Sequence, residues 1–124
     1  MSKWLALVLV MAGALSGPAR AQGTTRYDGR YMAELTLVGV RTGDCTQPPF
    51  GALYPLSIAR GEVSFAYLPR FSTTLTGRIA ENGTFNASAR LPKGRVQMTG
   101  RVSGNSVAAS IISPSCRYTL QSRN

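Results

Sequence analysis

Leu75 to Ala89 reads LTGRIAENGTFNASA, and Met98 to Ser110 reads MTGRVSGNSVAAS. Each copy runs Thr-Gly-Arg, a β-branched residue, a turn with Asn and Gly, then small residues; the second is one residue shorter in the turn. Leu75, Gly77 and Ile79 alternate with polar neighbours, as do Phe85, Ala87 and Ala89. That period of two belongs to half-buried strands. Asn82-Gly83 between them is a strong hairpin signal. The repeat is thus two successive hairpin units, and two copies are too few for a solenoid.

The alternation continues in both directions. Tyr31, Ala33, Leu35 and Leu37 define a first strand; Tyr54, Leu56 and Ile58 define a second, closed by Arg60-Gly61. Val63, Phe65 and Tyr67 return, and Pro69 ends that strand because proline has no N–H for a ladder. Pro92-Lys93-Gly94, Gly104-Asn105 and Ser113-Pro114-Ser115 separate the later strands, and Cys116, Tyr118 and Leu120 form the last. After the second strand the connections are too short for anything but antiparallel neighbours. The expected fold is all-β, an eight-stranded antiparallel up-and-down meander. Closure into a small barrel removes both exposed edges, and a two-sheet sandwich is the alternative. Gly77 and Gly100 occupy one position of the repeat, where a sheet can bend. Tyr31, Leu35, Leu56, Ile58 and Phe65 are expected to fill the interior, with Leu75, Phe85, Met98 and Tyr118 from later strands.

Residues 1–21 read as a signal peptide. Lys3 precedes an apolar run from Trp4 to Leu15, Ser16-Gly17-Pro18 breaks it, and Ala19-Arg20-Ala21 offers a cleavage site. The run is too short to cross a bilayer of about 30 Å. Residues 22–124 are then one β-barrel domain, periplasmic or secreted, with no membrane span in the mature chain. Gln22 to Thr25 is expected to be a loose leading tail. Cys45 and Cys116 should pair in such a compartment. Closing a loop of that length constrains the unfolded chain by about 4 kcal/mol in the chain-entropy model. Cys45 follows the first strand and Cys116 starts the eighth, so the bond would staple the barrel seam.

The chain carries a net charge of +9. A charge of this sign suits polyanions, although the arginines are scattered singly, as on a solvated surface. Chemistry is limited by what is missing: there is no histidine. Asp28, Glu34, Asp44, Glu62 and Glu81 show no spacing that pairs two carboxylates for acid/base work. Bridged thiols leave no zinc ligand set, and Gly83 and Gly104 lie in hairpin turns with no helix to follow. No catalytic residue, metal or cofactor is expected, and no enzyme. Phe65 and Tyr67 lie near Arg60, and Phe71 beside Arg70, but Phe65 and Tyr67 share the apolar phase of Val63, so specific nucleic-acid binding is not expected.

The longest connection runs from Arg41 to Leu53. Asp44, Pro48, Pro49 and Phe50 make it a candidate interaction loop, anchored by Cys45 and stiffened by the two prolines. Phe50 either plugs the end of the barrel or is presented to a partner.

Eight short strands opening with Gly29-Arg30-Tyr31 resemble the calycins: lipocalins, fatty-acid-binding proteins, avidins and small bacterial metalloprotease inhibitors. Those families open with Gly-x-Trp and pack a basic residue from the chain's end across the Trp. The resemblance implies Tyr31 in that place and Arg123 across it as a barrel-end cation–π contact. Residues 22–124 hold no Trp, so an avidin-like biotin pocket is not implied. YDGRY, ELTLVG and CRYTLQSR are also similar to small uncharacterised secreted proteins of proteobacteria, which implies no activity. The functional expectation is an exported, non-enzymatic binding or protein-interaction module of the bacterial envelope. One alternative is a periplasmic inhibitor of a protease or other hydrolase acting through the 41–53 loop. The other is a basic envelope protein that binds polyanions. The partners expected are a periplasmic or extracellular protein, or an anionic envelope component.

Overall fold

The computed structural model describes residues 24–43, 45–67 and 73–122. Eight strands follow one another: β1 (Gly29–Val40), β2 (Leu53–Ala59), β3 (Glu62–Tyr67), β4 (Thr73–Ile79), β5 (Thr84–Leu91), β6 (Gly94–Ser103), β7 (Ser106–Ile112) and β8 (Cys116–Ser122). Each pairs antiparallel with the next, and β1 pairs with β8, so the meander closes into a barrel. The sandwich is excluded. At the seam Leu35 lies opposite Leu120, Leu37 opposite Tyr118 and Val40 opposite Cys116, with a bulge between Leu37 and Gly39. Cys45 and Cys116 are bonded, their Cα atoms 5.8 Å apart.

The turns follow from their residues. Arg60 and Gly61 both have positive φ (53° and 79°), the mirror-image turn whose twist matches the strands it joins. Gly104 opens its turn at φ 63° and Asn105 follows with negative φ. Asn82-Gly83 closes a hairpin, but in a three-residue loop rather than a two-residue one: Ala80 N–H donates to Thr84 O at 2.8 Å. Gly83 also accepts from the Val102 amide at 2.8 Å, which stitches this loop to β6.

Alternation puts one face of every strand inside. Leu56, Val63, Leu75, Val96, Met98 and Leu120 have no exposed surface at all. Tyr67 and Tyr118 meet edge to face, ring centroids 6.0 Å apart. A side chain with no accessible surface has no water-sized gap beside it, so these residues fill the interior rather than line a pocket. Tyr31 departs from the expected core and is half-buried at the rim. Gly77 and Gly100 are required by close approach. A Cβ on Gly77 would fall on the Asn86 carbonyl, and one on Gly100 would lie 2.5 Å from the Ala109 methyl and 2.8 Å from the Phe85 ring.

Of the tail expected to be loose, Gln22 and Gly23 lie outside the described residues, and Thr24 is held in place. Thr24 is only 7% exposed, and its Oγ1 accepts from the Arg26 amide at 3.3 Å. Tyr27 donates its hydroxyl to Glu81 O at 2.7 Å. No helix among the described residues is long and apolar enough to cross a membrane.

Candidate functional site

The barrel has two unlike ends. One carries the short turns after β2, β4 and β6. The other carries the β1–β2 loop, the β5–β6 turn and the β7–β8 turn, and it holds the candidate interaction loop. Residues 41–52 are fastened there from several sides. Arg41 and Thr42 donate their amides to Ser115 O, at 2.6 and 3.2 Å. Cys45 is tied covalently to Cys116, and the Tyr118 hydroxyl reaches out of the core to donate to Thr46 O at 2.9 Å. Burial is the largest cause that raises the Tyr118 phenol above its ordinary pKa, with Tyr67 adding to it. Pro48 is buried.

Past Pro48 the loop turns outward. Ala52 N–H donates to Pro49 O at 3.2 Å, and Gly51 sits at φ 83°. This is a type II turn, which needs glycine at its third position. Glu34, on the outer face of β1, accepts from the Gly51 amide at 3.1 Å and fixes the turn from below. The residue left at the tip is Phe50, 97% exposed. The plug reading is therefore overturned: Pro48 enters the structure, and the type II turn directs the following aromatic ring into solvent. Leu53 and Met32, both 41% exposed, lie on the adjoining outer face of β1 and β2.

Of the other residues singled out from sequence, Pro49 is exposed, and Asp44 lies outside the described residues. Tyr31 donates its hydroxyl to Tyr27 O at 2.6 Å. Burial, then the neighbouring Asp28 and Tyr27, raises its phenol pKa. Its expected partner Arg123 lies outside the described residues; the cation–π contact seen is Arg26 over Tyr27, at 5.7 Å. Sequence reasoning missed Glu34 and Tyr118 as fasteners of the loop. An acid on the polar face of β1 is a visible signal. A core tyrosine gives none.

The remaining acids are dispersed. Asp28 accepts from two turn amides, Glu81 pairs with Arg26 at 3.9 Å, and Glu62 lies opposite Arg78 on β4. No three of His, Cys, Asp or Glu come together among the described residues. An open depression of about 300 Å³ lies on the outer wall between Arg101 of β6 and Gln121 of β8. Compared with protein-family models, with curated proteins and with solved structures, the chain matches none.

Proposed function

We propose that the protein is an exported, non-enzymatic binding module of the bacterial envelope that meets its partner with the loop end of its barrel, Phe50 foremost. The observation that carries this reading is the pairing of near-complete exposure with a fixed backbone. An exposed ring on a mobile loop is ordinary. On a loop fastened by a disulfide, a buried proline and two side-chain hydrogen bonds, the ring is presented in one place. Aromatic anchors dominate binding energies, and a preformed loop avoids much of the ordering cost of association. The filled interior supports recognition by the outer surface, and the dispersed carboxylates support a role without catalysis. The disulfide suits an oxidising compartment, and the leader-like residues 1–21 support the periplasm or beyond as that compartment.

The test is in-cell photo-cross-linking with a photoreactive phenylalanine analogue at position 50 or at position 105, in the turn at the opposite end. An adduct from position 50 and none from 105 is expected, whether its other half is protein or lipid. Equal labelling from both positions, or none from either, rejects the reading.

A further inference from the structure

Charge is divided unevenly between the two ends of the barrel. Asp28, Glu62 and Glu81 all lie at the short-turn end, among Arg26, Arg60 and Arg78. The loop end carries Arg41 just past β1, Arg90, Lys93 and Arg95 on the β5–β6 hairpin, and Arg117 at the start of β8. The acid nearest that end among the described residues is Glu34, and it accepts from the Gly51 amide. Arg90 and Arg95 are direct register partners on the outer face, with Lys93 in the turn between them. Like charges placed opposite each other in a ladder destabilise it. Neither guanidinium has a hydrogen bond or an ion pair among the described residues, so nothing among those residues offsets the cost.

The same end also holds exposed apolar side chains: Phe50, Val38 at 56%, Val40 at 58% and Ile112 at 42%. They alternate with the cations. Val40 adjoins Arg41, and Ile112 is the register partner of Arg117. These groups come from the β5–β6 hairpin, β7–β8, β1 and the β1–β2 loop, so among the described residues they follow the rim of the mouth over the arc from β5 to β1 instead of lining a groove. An arc along the rim of a cylinder's end is complementary to a plane. A nucleic acid or other soluble polyanion would satisfy the guanidiniums but leave the apolar side chains in water. A bilayer surface rich in phosphate headgroups satisfies both, with cations at the phosphates and apolar side chains at the acyl boundary.

Resting on the reading of the loop end as the contact surface, we infer that its partner is the anionic face of a lipid bilayer, on which the barrel stands mouth-down. Each cation near such a surface contributes about 1 kcal/mol.

The test uses purified mature protein and vesicles of phosphatidylcholine with or without phosphatidylglycerol. Sedimentation with the anionic vesicles and not with the neutral ones is expected, weakening with salt. R90Q/K93Q/R95Q should lose on the order of a hundredfold in affinity, whereas R26Q/R60Q/R78Q at the other end should change it little. Residues 22–124 contain no Trp, so F50W is a clean probe whose emission should shift to the blue on anionic vesicles. Failure to bind anionic vesicles, equal loss from both triple variants, or an unshifted F50W overturns the inference. So does equal binding to soluble polyphosphate. If position 50 still cross-links in cells to a protein while vesicles fail, the loop-end reading survives and the membrane inference does not.

Discussion

The Asp28 carboxylate closes a turn 32 residues away: it accepts from the Arg60 amide at 2.7 Å and from the Gly61 amide at 3.1 Å. Arg60 is the described non-glycine residue held in the left-handed region, so Asp28 supports a conformation that costs about 1–2 kcal/mol. Asp28→Ala should lower stability by about 1–3 kcal/mol, read as an earlier urea midpoint with unchanged slope. Arg60→Gly relieves the strain and should offset part of that loss in the double variant. An unchanged midpoint for Asp28→Ala would sink this account of the turn.

Three glycines should rank by what a methyl group meets. Gly77→Ala drives a Cβ onto a backbone carbonyl and should cost about 3 kcal/mol or more. Gly100→Ala meets the Ala109 methyl and the Phe85 ring edge as well as backbone, and should cost about 1–3 kcal/mol. Gly104→Ala has open space and only its φ of 63° against it, for about 1 kcal/mol. Thermal unfolding of the three variants checks the order.

Phe50→Ala should leave stability within about 0.5 kcal/mol of the parent, because the ring buries almost nothing. A loss of about 3 kcal/mol would mean that the ring packs into the barrel end, and the docking reading would go with it. Tyr118→Phe removes the bond to Thr46 and should speed proteolysis within 41–52.

Alkaline pH should weaken the barrel through two phenols. Tyr31 and Tyr118 both have folded pKa values raised above the ordinary value near 10, chiefly by burial. A raised folded pKa means stability that is complete below the unfolded value and is lost as pH rises from about 10 through the folded value. With no histidine and both thiols bridged, neither an imidazole nor a thiol titrates between about pH 6 and 8. Stability should be flat there and fall above about pH 10. Tyr118→Phe should flatten part of the fall.

Reduction should remove at most about 4 kcal/mol and leave the barrel's circular dichroism signal in place, since seven of the eight strand pairings join sequence neighbours. Collapse of the sheet on reduction would mean that the seam depends on the disulfide alone.

Strand number, order and closure were legible because alternation and turn chemistry are local signals, and because two cysteines mark the seam. The three-residue loop at Asn82-Gly83 was not, since its geometry depends on the contact between Gly83 and Val102 across the barrel wall. Asp28 at the Arg60-Gly61 turn was hidden for the same reason: a capping acid usually lies within a few residues of its amides, and this one does not. The direction of Phe50 depended on which residue of Pro-Pro-Phe is buried, a matter of turn geometry that composition leaves open. The order of Thr24 was equally silent in the sequence, because it comes from β4–β5 loop atoms at Glu81 holding the segment just after it.

The seam has a consequence in time. β1 emerges first during synthesis, yet its partner along Leu35 to Val40 is β8, the last of the eight strands to appear. Until then the growing sheet has two open margins, and the β1 margin is the longest strand of the molecule. Closure is a single late event, so the chain is most prone to pair with a neighbour while β8 is still in transit. A chaperone that shields an unpaired strand would act in that interval, and it ends when Cys116 comes within reach of Cys45.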